Sequence, residues 1–170
     1  MAVSSVANSE TFKVTTPSDR EIRLTRLFDA PRHLVFEALT KPEHITQWWG
    51  RLAEGYSVPV CEMDLRPGGA WRFVNRMPNG ESVAFYGVCR EVAPPDRIVY
   101  TEIFEPFPDA ESVVTAVLTD EKNGKTRLTV TALYPSLEVR DTVLKSGMER
   151  GAGISYDRLE EVVARLKTRS

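Results

Sequence analysis

The sequence predicts an α+β fold: a curved antiparallel sheet with one long helix lying across it near the C-terminus. Three observations carry that expectation. From Val58 to Tyr134 apolar residues recur at every second position, in runs ended by clusters of Pro, Gly, Asn and Asp. From Ser136 to Lys167 the apolar steps become three and four residues. Between Pro31 and Gly50 lie two shorter helical patterns. Successive strands joined by short turns make an antiparallel meander, whose inner face must be covered. The C-terminal stretch is the only one long enough to cover it.

Taken in order, residues 1–10 are small and polar, and disorder is expected there; residues 11–168 read as one domain. Phe12 and Val14 alternate with polar neighbours in a short strand, and Pro17-Ser18-Asp19 is a turn. Glu21 to Phe28 alternates again, with Ile22, Leu24, Arg26 and Phe28 on one side. Pro31 suits the first position of a helix that buries Leu34, Val35, Ala38 and Leu39. Thr40-Lys41-Pro42-Glu43 fits a capping box, with Thr40 as N-cap, and opens a second helix carrying Ile45, Trp48 and Trp49 up to Gly50. The strands that follow are 58–65, 70–76, 81–92, 97–104, 112–118 and 125–134, the last pair joined around Asn123-Gly124. The first strands are expected to close the sheet beside the last one.

The long helix is read as Ser136 to Lys167, with Ser136 as N-cap and Val143, Leu144, Met148, Leu159, Val162, Val163 and Leu166 on its apolar face. Gly147, Gly151 and Ser155 form a stripe without bulk on that helix, with Gly153 nearby. Each glycine costs about 1 kcal/mol in a helix interior relative to Ala. Close packing on the sheet, a kink, or room left for a ligand would each account for the stripe.

Composition narrows the function. A chain of 170 residues with 42% hydrophobic residues can bury a core, and its net charge of -2 without a basic block argues against nucleic acid as a partner. No apolar run approaches the roughly 18 residues of a membrane-spanning helix. The first ten residues show no signal-peptide pattern, so a cytoplasmic location is expected. The two cysteines, Cys61 and Cys89, read as reduced core thiols; their spacing suggests no zinc site, and no cofactor is implied. His33 and His44 both fall in first turns of short helices, with no Ser or Cys nucleophile beside them.

Several local motifs then resemble one family. Phe28-Asp29-Ala30-Pro31, Val35-Phe36-Glu37-Ala38-Leu39-Thr40, Pro42-Glu43-His44-Ile45 and Gln47-Trp48-Trp49-Gly50 are similar to the SRPBCC (START/Bet v 1-like) superfamily. Within it they resemble the branch similar to the C-terminal domain of the activator of Hsp90 ATPase. Asp64-Leu65-Arg66-Pro67-Gly68-Gly69 with Trp71, Gly87 with Glu91, Arg97-Ile98-Val99-Tyr100-Thr101, Ser146-Gly147-Met148 and Ser155-Tyr156-Asp157-Arg158-Leu159 extend the match over about residues 11–167. The resemblance implies a helix-grip fold, a seven-stranded sheet wrapped round the C-terminal helix and enclosing an apolar cavity, and frequent homodimers.

The candidate ligand-binding residues are Trp48, Trp71, Phe73, Phe85, Tyr100, Glu102, Phe104, Met148, Gly151 and Tyr156. Their strand or helix faces point to one interior, where the alternative is a filled core. Trp48 and Trp49 read as one core anchor and one residue at the cavity mouth. Arg26, Glu91 and Glu102 fall in step with apolar neighbours. Either Arg26 meets one of the two carboxylates inside, or one of them orients a ligand's polar group, or a bulge or strand end turns such a residue to solvent. Three functions follow: a carrier of a small apolar or aromatic ligand, a co-chaperone-like module that engages Hsp90, and a cyclase or aromatase in which Glu102 transfers protons. No nucleophile, metal cluster or phosphate loop adds independent support for catalysis, and the sequence does not name the ligand.

Overall fold

The computed structural model describes residues 11–169, so the disorder expected for the first ten residues lies outside the described residues. Eight strands, β1 (Phe12–Thr15), β2 (Glu21–Phe28), β3 (Ser57–Met63), β4 (Ala70–Arg76), β5 (Ser82–Ala93), β6 (Arg97–Phe104), β7 (Ser112–Asp120) and β8 (Thr126–Leu133), pair antiparallel in the order β1-β2-β8-β7-β6-β5-β4-β3. The two-residue periodicity predicts all eight; the family resemblance implied seven. As expected, β2 closes against β8, with Leu24 opposite Val130 and Phe28 opposite Thr126.

Four helices cover the inner face: α1 (Arg32–Thr40), α2 (Pro42–Trp48), α3 (Leu137–Lys145) and α4 (Met148–Arg169). Pro31 stands one residue before α1 rather than inside it. The capping box at Thr40 does not form. Thr40 is the last residue of α1 and donates its hydroxyl to the Phe36 carbonyl at 2.7 Å, while Lys41 precedes α2 without a side-chain cap. A threonine hydroxyl can satisfy the carbonyl four residues back, and that local bond wins here.

The expected single C-terminal helix is two. Ser136 does cap its start, accepting from the Val139 N–H at 3.2 Å. The helix then ends, and Gly147 takes φ +88, a left-handed backbone that strains any residue with a Cβ. Gly147 therefore breaks the rod and leaves the small-residue stripe. Gly151 and Ser155 remain on α4.

α4 buries Tyr156, Leu159, Val162, Val163 and Leu166 against Phe12, Val14, Leu24, Phe28, Leu34, Val35 and Leu128. A second cluster, Ile45, Trp71, Phe73 and Cys89, lies under β3–β5. Trp49 and Tyr100 pack against both clusters.

Arg26 belongs to the first cluster's wall. Its residue is 7% exposed, with its guanidinium 5.2 Å from the Phe28 ring centroid. It donates to Asp157 at 2.9 Å and stands 3.8 Å from Glu160, both on α4. The expected pairing with Glu91 or Glu102 is thus replaced by a clamp between β2 and the helix. Asp157 is well exposed, so removing the arginine strands no buried charge, whereas removing the aspartate leaves a buried cation short of a partner. Arg26→Met should stay within about 1 kcal/mol of the parent in urea unfolding, and Asp157→Ala should lose about 1–2 kcal/mol. Equal losses for the two would contradict this account.

Candidate functional site

Burial is graded along the molecule. At one end of the sheet the inward residues Phe28, Cys89, Ile98, Leu118 and Leu128 are buried, as is the C-terminal half of α4 through Leu159, Val162, Val163 and Leu166. At the other end the inward residues Phe85, Tyr100, Glu102, Phe104, Ala132 and Tyr134 keep partial exposure, and so do Met148, Gly151 and Ala152 at the start of α4, while their neighbours Ile22, Ser112, Val114 and Glu149 are buried. Because β5 and β7 begin where β6 and β8 finish, these positions share one end. α4 is therefore fully buried at Leu159, Val162, Val163 and Leu166 and only partly covered at Met148, Gly151 and Ala152. An alanine on an inward face that is still accessible marks space rather than packing.

The sheet bends at this open end. A Cβ on Gly87 would lie 1.9 Å from the Thr101 carbonyl oxygen, so only glycine lets β5 approach β6 so closely. Two side-chain bonds serve the backbone groups there. Trp71, directly opposite Gly87 on β4, donates its indole N–H to the Thr101 carbonyl at 3.0 Å. Thr101 Oγ1 accepts from the Val88 N–H at 3.0 Å. The next residue on β6 is Glu102, so the bend sets where its carboxyl points.

Glu102 is enclosed by protein atoms, yet part of the residue remains solvent-accessible. Its carboxyl makes no hydrogen bond or ion pair among the described residues. Unlike Arg26 Nε and Glu149 Oε2, its oxygens are not sealed off unsatisfied. The carboxyl is thus surrounded by protein yet reachable by solvent. Burial pushes its pKa from 4.5 up to about 7. The phenols of Tyr100, Tyr134 and Tyr156 are raised in turn, first by burial and then by the Glu102 charge. Carboxyl and phenols thus form one electrostatic neighbourhood.

The structure distributes the predicted residues as follows. Trp71 and Phe73 are buried, with ring centroids 4.9 Å apart, and belong to the core under β4. Trp48 is a core anchor, its indole donating to the Ala38 carbonyl at 2.9 Å. Its ring centroid is 6.4 Å from that of Tyr156, which is likewise buried. Tyr100, Glu102, Phe104, Phe85 and Met148 line the open end. Phe104 stacks between Phe85 at 4.9 Å and the exposed Phe107 at 6.0 Å, at the rim. A side chain at Gly151 would first meet Leu52, at 3.7 Å. Glu91 is turned out by a bulge after Cys89 and pairs with Arg97 at 2.8 Å on the surface. Cys61 and Cys89 are free thiols; burial lifts Cys61 to about 11 and raises Cys89 as well.

Ala132 and Tyr134 were not among the candidates. Both continue the inward alternation of Leu128 and Val130, a signal present in the sequence but overlooked because alanine has no chemistry to attract notice. Two open surface hollows are also present among the described residues. One of about 560 Å³ lies at Ser18, Asp19, Arg20 and Leu133. The other, of about 770 Å³, spans Arg72, Tyr86, Val88 and Ile103 and reaches Trp71, Gly87 and Thr101 where β5 meets β6. Neither is lined by Glu102.

A curved antiparallel sheet gripping a long C-terminal helix defines a helix-grip protein. The chain belongs to the family described as activator of Hsp90 ATPase homolog 1-like protein, whose model matches residues 29–164. Among solved structures it is similar to a protein from Rhodobacter sphaeroides at 26% identity and TM-score 0.83, covering 91% of this chain and 99% of that one. A protein from Nitrosomonas europaea matches at 25% identity and TM-score 0.77, covering 90% and 99%. One from Chromobacterium violaceum matches at 27% and 0.74, covering 86% and 98%. No curated protein matches the chain. No helix among the described residues is long and apolar enough to cross a membrane.

The raised pKa of Glu102 links stability to pH with a definite sign. Between pH 4.5 and about 7 the folded protein holds a proton that the unfolded chain has released. The contribution of the neutral acid is complete below that window and is lost as pH rises through it, amounting to at most roughly 3 kcal/mol. Glu102→Gln should therefore unfold at a higher temperature than the parent at about pH 8 and at nearly the same temperature near the bottom of the window. A constant difference across pH would show that Glu102 titrates normally.

Proposed function

We propose that the protein binds a small, largely apolar ligand in the space between the N-terminal half of α4 and the β5–β8 end of the sheet. The observation that carries this reading is the set of inward residues that stay accessible around Glu102, a carboxyl with no partner in the described residues. Aromatic walls from Phe85, Tyr100, Phe104 and Tyr134, with Met148 opposite, suit a flat hydrophobic guest. Phe107, 62% exposed beside Phe104, supplies an apolar lip.

Ala132 separates this reading from a merely loose core. Filling a packed interior with extra atoms costs about 1–3 kcal/mol, whereas filling a vacant one costs little. Ala132→Phe should leave the melting temperature unchanged or raised and should abolish the uptake of N-phenyl-1-naphthylamine, a neutral apolar dye whose fluorescence rises in apolar surroundings. The parent should bind one dye per chain. An Ala132→Phe variant that is strongly destabilised, or a parent that takes up no dye, would overturn the proposal.

A further inference from the structure

The proposed interior has an unbalanced charge pattern. The inward faces of the described strands carry one cation, Arg26, and one anion, Glu102. Arg26 is spent on α4, at 2.9 Å from Asp157 and 3.8 Å from Glu160. Glu102 is left without a counter-charge, among Tyr100, Tyr134 and Tyr156. Resting on the ligand-binding reading, we propose that the cavity selects ligands bearing a protonated amine on an aromatic or other apolar body, the ammonium pairing with Glu102, and that it rejects carboxylates.

The physical case has three parts. A carboxylate held away from water without a partner is costly, and a guest cation offsets that cost where a neutral hydroxyl does so only weakly. The phenols gathered round the carboxyl add electron-rich rings, which attract cations. A fatty acid or other anionic guest would bring a second negative charge to Glu102 with no free cation to meet it. The apolar remainder of the lining gives the rest of the ligand its grip, so the predicted class is an amphipathic or aromatic amine rather than a polyamine.

Three probes of one shape test this: 2-(aminomethyl)naphthalene, 2-naphthalenemethanol and 2-naphthoate, each titrated by calorimetry into the full chain at about pH 8. The amine should bind about tenfold more tightly than the alcohol, as expected for a charge-assisted over a neutral hydrogen bond, and the carboxylate more weakly than both. In Glu102→Gln the advantage of the amine over the alcohol should vanish. Amine affinity should also fall about tenfold between pH 8 and pH 6, because the amine must then displace a proton from a carboxyl whose pKa is about 7. Tyr100, Tyr134, Tyr156 and Cys89 around Glu102 are raised away from that window by burial, and because burial also raises the Glu149 carboxyl on α4, the pH effect must vanish in Glu102→Gln to be assigned to Glu102. If no probe binds, this inference falls together with the cavity. If the alcohol binds as well as the amine, or the amine keeps its advantage in Glu102→Gln, the inference falls and the cavity stands.

Discussion

The close approach of β5 to β6 at Gly87 is the constraint on which the interior depends. A flat meander would lie along α4 for its whole length and leave nothing between them. With no side chain at Gly87, the Thr101 carbonyl can move in, and the Trp71 indole and Thr101 hydroxyl take up hydrogen bonds at the bend. The price is one large aromatic fixed in a single orientation. The gain is a tight β5–β6 junction beside Glu102, whose partial accessibility carries the proposed binding site.

At the other end the helix is held firmly. Arg26 reaches from β2 to Asp157 and Glu160, and Leu159, Val162, Val163 and Leu166 sit in the fully buried part of the core. The two ends divide the labour of the fold. One carries most of the packing that keeps the chain folded, and the other leaves the Glu102 carboxyl without a partner among the described residues. That separation lets an interior carboxyl with a pKa near 7 exist at all, since the energy it withholds is supplied by contacts elsewhere.

Most of the architecture was legible because it rests on local rules. The two-residue alternation located all eight strands, and the turn clusters bounded them to within a few residues. Ser136 was readable as a cap for the same reason. What escaped depended on geometry across the chain. Gly147 was counted in a stripe of small residues, but its role is to end a helix through a positive φ, which spacing alone does not distinguish. Glu91 kept step with Cys89 on paper, and one bulge reversed its face. Arg26 was rightly singled out as a charge among apolar neighbours, yet its partners Asp157 and Glu160 lie 131 or more residues along the chain, on the C-terminal helix. The site was half legible. Tyr100, Glu102 and Phe104 share a visible alternation, but nothing in the sequence told an accessible inward residue from a packed one.

The break at Gly147 has a bearing on how the molecule comes apart. α3 buries none of its residues completely, and no neighbour stands within 4 Å of where a side chain at Gly147 would begin. Its release uncovers only the partly buried Val143 and Leu144 and the Arg140 bonds to the Ser18 and Glu21 carbonyls, and leaves the Arg26 clamp on α4 in place. Thermal fluctuations should therefore peel this segment away long before the sheet loosens, and its amides should exchange with solvent deuterium ahead of those in α4.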